Sequence, residues 1–178
     1  ERLRQEKVLR AWRERMDLFH LMLYLHILGA IIAFGPSFAM PIIGGMGGKE
    51  PAHVNFALRV SLAIAKQRII PLAIVQGVTG VGLIVTSSVD LGKALWLQAG
   101  ILLWAVALGY GMAIQTPAVK KLIAMTSGGP PPAGPAGAPP SGPPPAMLAL
   151  IKSVQRGGML IAGLVAVLVF LMVIKPGA

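Results

Sequence analysis

His26 is the residue in this chain whose type and surroundings best suit chemistry, because it is an imidazole inside a long run of apolar residues. A neutral imidazole is a natural axial ligand for haem iron. Gly29 follows one helical turn later, so a flat macrocycle or a neighbouring helix can approach the ring closely. The competing reading is a hydrogen bond from His26 to another helix, for example to Gln76, Gln98 or a backbone carbonyl. His20 lies six residues earlier. At about 100° per residue it points some 120° away, so the two imidazoles cannot hold one metal from a regular helix. His53 falls in a polar loop, where it is expected to be solvated. A second ligand would have to come from another helix or another chain, and the other apolar runs contain no His.

The remaining chemistry-bearing residues are sparse. His20, Tyr24, Ser37, Gln76, Thr79, Gln98, Tyr110 and Gln115 are the other polar groups expected at membrane depth. All six acidic residues lie outside the apolar stretches, which argues against an ion-coupled pump with an intramembrane carboxylate. The chain has no cysteine, so disulfides, thiolate metal sites, iron–sulfur clusters and cysteine nucleophiles are excluded. Nine methionines raise monovalent copper as a ligand, but they are scattered without a short repeat and read as core filling. No carboxylate pair, Ser with an adjacent base, zinc motif or phosphate-cradling loop is present, so catalytic residues and a metal site are not assigned.

The elements that must position these groups are membrane helices. Hydrophobic residues make up 55% of the 178, charged residues only 12%, and the mean hydropathy is +0.74; a soluble domain carries about 25% charged residues. Four stretches lack any Asp, Glu, Lys or Arg: Leu18 to Gly48, Ile69 to Val89, Ala94 to Val119 and Gly157 to Ile174. Each reaches the roughly 18 to 20 residues needed to cross a hydrocarbon core of about 30 Å. The expected fold is an all-α integral membrane protein with four transmembrane helices in an antiparallel bundle, spans being placed near 18–40, 69–89, 94–116 and 157–174.

Residues 1–16 are densely charged, yet Val8, Trp12, Met16 and Phe19 align on one face, so an amino-terminal amphipathic helix lying at the membrane surface is expected ahead of the transmembrane domain at 17–178. Arg10, Trp12 and Arg13 on that helix, with Lys120 and Lys121 after the third span, are the expected membrane-surface contacts. The cluster Gly44, Gly45, Gly47 and Gly48 is expected to break the first helix, and Pro51 to open the next. Pro71 marks a kink at the second span. Only Ser87 to Lys93 join spans two and three, which predicts a tight hairpin, with spans one and four closing the bundle. The segment 128–146 holds nine of the fifteen prolines and reads as an extended tether.

The net charge of +10 would point a soluble protein toward nucleic acid. Here the basic residues flank apolar runs, where they meet anionic headgroups, and no nucleic-acid motif accompanies them. Lys and Arg number eight on each side of the membrane; without the amino-terminal extension the count is two against eight, favouring cytoplasmic first and third loops. Small residues at Gly29 and Ala33, at Ala105 and Gly109, and at Gly77, Gly80 and Gly82 offer faces for close helix packing, within the chain, with a second copy or with other subunits.

Four short runs resemble a known family: YLHILGAIIAFG from Tyr24 to Gly35, GVTG from Gly77 to Gly80, Leu95-Trp96-Leu97, and LMVIKP from Leu171 to Pro176. They are similar to the integral membrane proteins grouped as domain of unknown function 2269, within a wider four-helix set that includes the copper-resistance protein CopD and the HemJ-type protoporphyrinogen oxidase. The resemblance implies a haem b-associated histidine in the first span, at the position of His26. The HemJ-type pattern also carries a Lys and a Tyr-His pair in the third span. Trp96 to Tyr110 contains neither Lys nor His, which argues against protoporphyrinogen oxidation.

Three functions stay open at this point. The leading one is a non-enzymatic accessory or structural subunit of a larger complex, in a bacterial inner membrane. The alternatives are a haem b-binding redox or haem-handling protein using His26, and a copper or small-solute permease.

Overall fold

A computed structural model describes residues 1–128 and 144–177, and among these every regular element is helical. Four continuous helical runs are long and apolar enough to cross a membrane: Arg2–Lys49, Val54–Thr86, Leu95–Thr126 and Pro145–Ile174. All exceed the roughly 20 residues a bilayer core requires, so each projects beyond it.

The first run starts with α1, Arg2–Phe34, which carries the charged amino-terminal residues and the first apolar stretch without interruption. It tightens into a 3-10 turn at Gly35–Phe38. Pro36, which has no amide proton, is placed in that turn. The chain then resumes as α2, Met40–Lys49. The glycine cluster therefore does not break the helix. Pro41 occupies the first turn of α2, where its missing N–H goes unneeded, and Gly47 is buried where a methyl group would meet Ala57 Cβ at 3.1 Å. Of the four, Gly47 serves as packing surface, whereas Gly44, Gly45 and Gly48 are exposed with nothing within 4 Å of where a side chain would begin, and the reversal comes later, at the short 3-10 turn Pro51–His53.

The second run comprises α3, Val54–Ile64, a π-helical segment at Ala65–Ile69, and α4, Ile70–Thr86. The third repeats that plan with α5, Leu95–Tyr110, a π segment at Gly111–Gln115, and α6, Thr116–Thr126. Pro71 and Pro117 each stand two residues beyond a π segment. Each ring removes one i to i−4 hydrogen bond and crowds the carbonyl four residues back, and the wider π turn absorbs both effects.

The fourth run is α7, Pro145–Ile174, which begins well before the Gly157 start of the charge-free stretch. Its two basic residues, Lys152 and Arg156, are exposed and so do not interrupt it. It ends on Lys175 in the left-handed region (φ 47°), with Pro176 next, and the Lys175 amide returns to Leu171. The segment 128–146, read from sequence as a tether, lies almost wholly outside the described residues; of its carboxyl end, Pro145 and Ala146 belong to α7.

The pairing of the runs differs from the expectation of a tight hairpin between spans two and three closed by one and four. α1 packs along α4, and α5 packs along α7, each pair antiparallel. α4 and α5 touch little despite their short connection, whereas α3 meets α6 at the opposite end. The indole of Trp104 accounts for part of this separation. A methyl group at Gly77 would fall 2.6 Å from its ring, and Trp104 Nε1 donates to the Ala73 carbonyl at 2.9 Å. A large aromatic side chain thus fills the space between α4 and α5 where small residues would have let the backbones close.

Candidate functional site

The polar side chains at membrane depth gather in two places, one in each helix pair. In the first, His26 of α1 faces Gln76, Thr79 and Gly80 of α4. His26 Nδ1 lies 2.8 Å from Thr79 Oγ1. The Thr79 hydroxyl reaches the Val75 carbonyl at 3.0 Å and the Gln76 carbonyl at 3.2 Å. Its proton therefore has backbone acceptors, and its oxygen is free to accept from Nδ1–H. In that tautomer Nε2 keeps its lone pair. A methyl group at Gly80 would rest 3.5 Å from His26 Cε1, an ordinary contact.

Gln76 Nε2 donates to the His26 carbonyl at 2.6 Å. Gly29 admits that amide, since a Cβ there would sit 2.9 Å from Nε2. Gln76 and Thr79 are both buried, and Gln76 Oε1 has no hydrogen-bond partner among the described residues. Turning the amide over would set oxygen against oxygen at His26, so the orientation is determined by that one carbonyl. One turn away, Gly82 faces Met22, whose sulfur would lie 3.0 Å from an added methyl. Ala33 is fully buried.

The second cluster joins the third run to α7. Gln115, inside the π segment, donates from Nε2 to the Val154 carbonyl at 2.8 Å, and Gly157 leaves room for both that amide and the Tyr110 hydroxyl. Gly100 admits the tip of Met172. Beyond the two clusters, Asn55 Nδ2 clasps α3 to α6 through the Ile123 carbonyl and Thr126 Oγ1, both at 2.9 Å.

The other sequence candidates fall away from these clusters. His20 Nδ1 turns back to the Met16 carbonyl of its own helix at 2.7 Å. His53 is exposed and pairs with Glu50 at 3.0 Å. Gln98 donates to the Leu91 carbonyl in the loop between the second and third runs, at 2.7 Å. Ala105 and Gly109 face outward, with nothing within 4 Å of where a Gly109 side chain would begin. Arg10, Trp12 and Arg13 are exposed on α1, as are Lys120 and Lys121 on α6. No group of three or more His, Asp or Glu side chains positioned for a metal ion occurs among the described residues.

The profile of the predicted integral membrane proteins, domain of unknown function 2269, matches residues 20–176. The chain belongs to that family. It is an integral membrane protein with four helices able to span the bilayer. No curated protein and no solved structure matches it. Trp104, Asn55, Gly100 and Gly157 were not singled out by the sequence reading. A searchable signal existed for Gly157, which sits beside Arg156 where the fourth apolar stretch begins. Trp104 carried no such signal, because an indole in an apolar helix reads the same whether it faces lipid or a neighbour.

Proposed function

We propose that this family member is a non-catalytic structural or accessory subunit, seated in a bilayer and packed against other membrane-protein chains. The observation that carries this reading is the use of its intramembrane polar groups. Gln76, Trp104 and Gln115 each donate to a backbone carbonyl of a neighbouring helix, and His26 bonds Thr79. Polar side chains used in this way fix which helix faces meet in lipid. The outward small-residue face of Ala105 and Gly109 is available to a neighbouring chain. Extraction in a mild detergent followed by crosslinking and size-exclusion chromatography tests the reading. Recovery in a defined assembly is the expected result, and a lone monomer carrying a stoichiometric cofactor overturns it.

A second reading is favoured by His26 itself. With Nδ1–H given to Thr79, the imidazole is oriented by a neighbour and offers Nε2, the arrangement seen for metal-bound histidines generally. His26 Nε2 would be the atom to hold the iron of haem b. The chain offers no second histidine at this depth, so any further protein ligand would come from another residue type or a partner. Haem would bring electron transfer; the protein's part would be to hold the ring and set its tautomer. Absorption spectra of the extracted protein, oxidised and then reduced with dithionite, decide this reading. A near-stoichiometric Soret band lost in His26→Ala supports it, and a featureless spectrum from fresh membranes removes it.

A further inference from the structure

We propose that the groove between α5 and α7 at Tyr110, Lys152, Ser153 and Arg156 binds the phosphate of an anionic phospholipid, with one acyl chain lying past Leu160. The groove is shallow and open to the surroundings, with a volume of about 560 Å³, and is lined by these residues with Ala149, Gly157 and Leu160. Lys152 and Arg156 stand one turn apart on α7 and share a face, with Ser153 between them, so two cations and a hydroxyl converge on one opening. The facing wall supplies the Tyr110 hydroxyl, which approaches because Gly157 has no side chain to block it. That hydroxyl shares the space beside Gly157 with the Gln115 amide.

Charge at this end of the molecule is one-sided. Neither Lys152 nor Arg156 pairs with a carboxylate among the described residues, and Glu50, the acidic residue at this end, is engaged by His53. Depth favours a lipid over a soluble anion. Lys175 lies over the Trp96 ring at 5.5 Å, a pairing suited to the opposite headgroup layer. Arg156 stands 19 residues before Lys175 on the same helix. At 1.5 Å per residue that is about 28 Å, close to the thickness of a hydrocarbon core, so Arg156 reaches headgroup level on the other side. From Leu160 to Ile174, α7 carries no charge and can flank an acyl chain. Basic pockets between transmembrane helices hold anionic headgroups in this way.

Native mass spectrometry of the full chain, loaded with phosphatidylglycerol or phosphatidylcholine of the same acyl composition, tests the proposal. Wild type is expected to retain one phosphatidylglycerol per chain in preference to phosphatidylcholine. The double variant Lys152→Gln, Arg156→Gln should lose that retention about tenfold or more, while Lys49→Gln, Arg59→Gln, exposed at the same end but off the groove, keeps it. Tyr110→Phe serves as an independent variant if the double variant fails to fold, and is expected to weaken retention two- to fivefold. Equal retention of the two lipids, unchanged retention in the groove variants, or equal loss in the Lys49 and Arg59 control overturns the proposal. Competition by millimolar inorganic phosphate overturns the lipid as the source of the anion and leaves a free-phosphate site.

Discussion

The side-chain amide of Gln76 donates to the backbone carbonyl of His26 across the α1–α4 interface, three residues before Gly29 on α1. The other helix pair contains the same construction. Gln115 donates to the Val154 carbonyl, three residues before Gly157 on α7. In each case a carbonyl that already accepts its helical bond takes a second donor, and a glycine one turn later opens the space through which the amide passes. The geometry needs a long flexible amide on one helix and a missing side chain on the other. Each glycine therefore acts through its partner glutamine.

This coupling makes a prediction for Gly157. A methyl group there would collide with the Gln115 amide and fall 2.6 Å from the Tyr110 hydroxyl, so two side chains must move together. Gly157→Val should destabilise the α5–α7 pair by about 1 to 3 kcal/mol through overpacking. Thermal unfolding in detergent measures the change. Adding Gln115→Ala should recover part of it, whereas strictly additive losses would show that the two residues are uncoupled.

Gln76 is expected to respond in the opposite direction from an ordinary buried polar residue. Its Nε2 bond to His26 contributes about 0.6 kcal/mol on the scale measured for interhelical hydrogen bonds in membranes. Its Oε1 is buried without a partner, which costs about 1 to 3 kcal/mol. Gln76→Leu removes both, so unfolding should show unchanged or raised stability. A loss exceeding about 2 kcal/mol would mean that Oε1 is satisfied in the membrane by a group that the substitution discards.

The four long apolar stretches made the helices readable, because a bilayer span has a length and a composition that few other structures share. The helix partners were not readable. Loop length favoured pairing spans two and three, yet the decisive residue was Trp104, whose bulk fills the space beside Gly77. The glycine cluster at Gly44 to Gly48 was misleading for a related reason: glycine weakens a helix in water, whereas here α2 continues through it and uses Gly47 as contact surface. His26 stood out by type alone. Its bond to Thr79 depends on the α1–α4 register, which local spacing does not encode.

Trp104 should behave as a spacer whose ring matters more than its hydrogen bond. Trp104→Phe loses the donor to Ala73 but keeps most of the volume beside Gly77. A cost of about 1 kcal/mol is expected. Trp104→Ala empties the site, with a cost of about 3 to 5 kcal/mol. Spin labels on the outer faces of α4 and α5 would then report a shorter separation as the helices close on the vacated space. Similar destabilisation by Phe and Ala would assign the effect to the indole N–H instead.

Asn55 offers the most local test, because its two hydrogen bonds both end within one turn of α6, at the Ile123 carbonyl and Thr126 Oγ1. α3 and α6 lie at the end of the molecule away from the loop joining α4 and α5, and those two helices touch little. Loss of the clasp should therefore loosen that end without disturbing His26 or Gln76. Asn55→Leu is expected to cost about 1 to 2 kcal/mol, the Ile123 carbonyl keeping the Thr126 and Ser127 hydroxyls as donors. Hydrogen exchange should accelerate in Val54–Ile64 and Thr116–Thr126 and stay unchanged in α1 and α4 around Gly29 and Gln76. Faster exchange spread evenly over all four runs would instead mean that the clasp supports the whole bundle, with the two helix pairs opening as one unit.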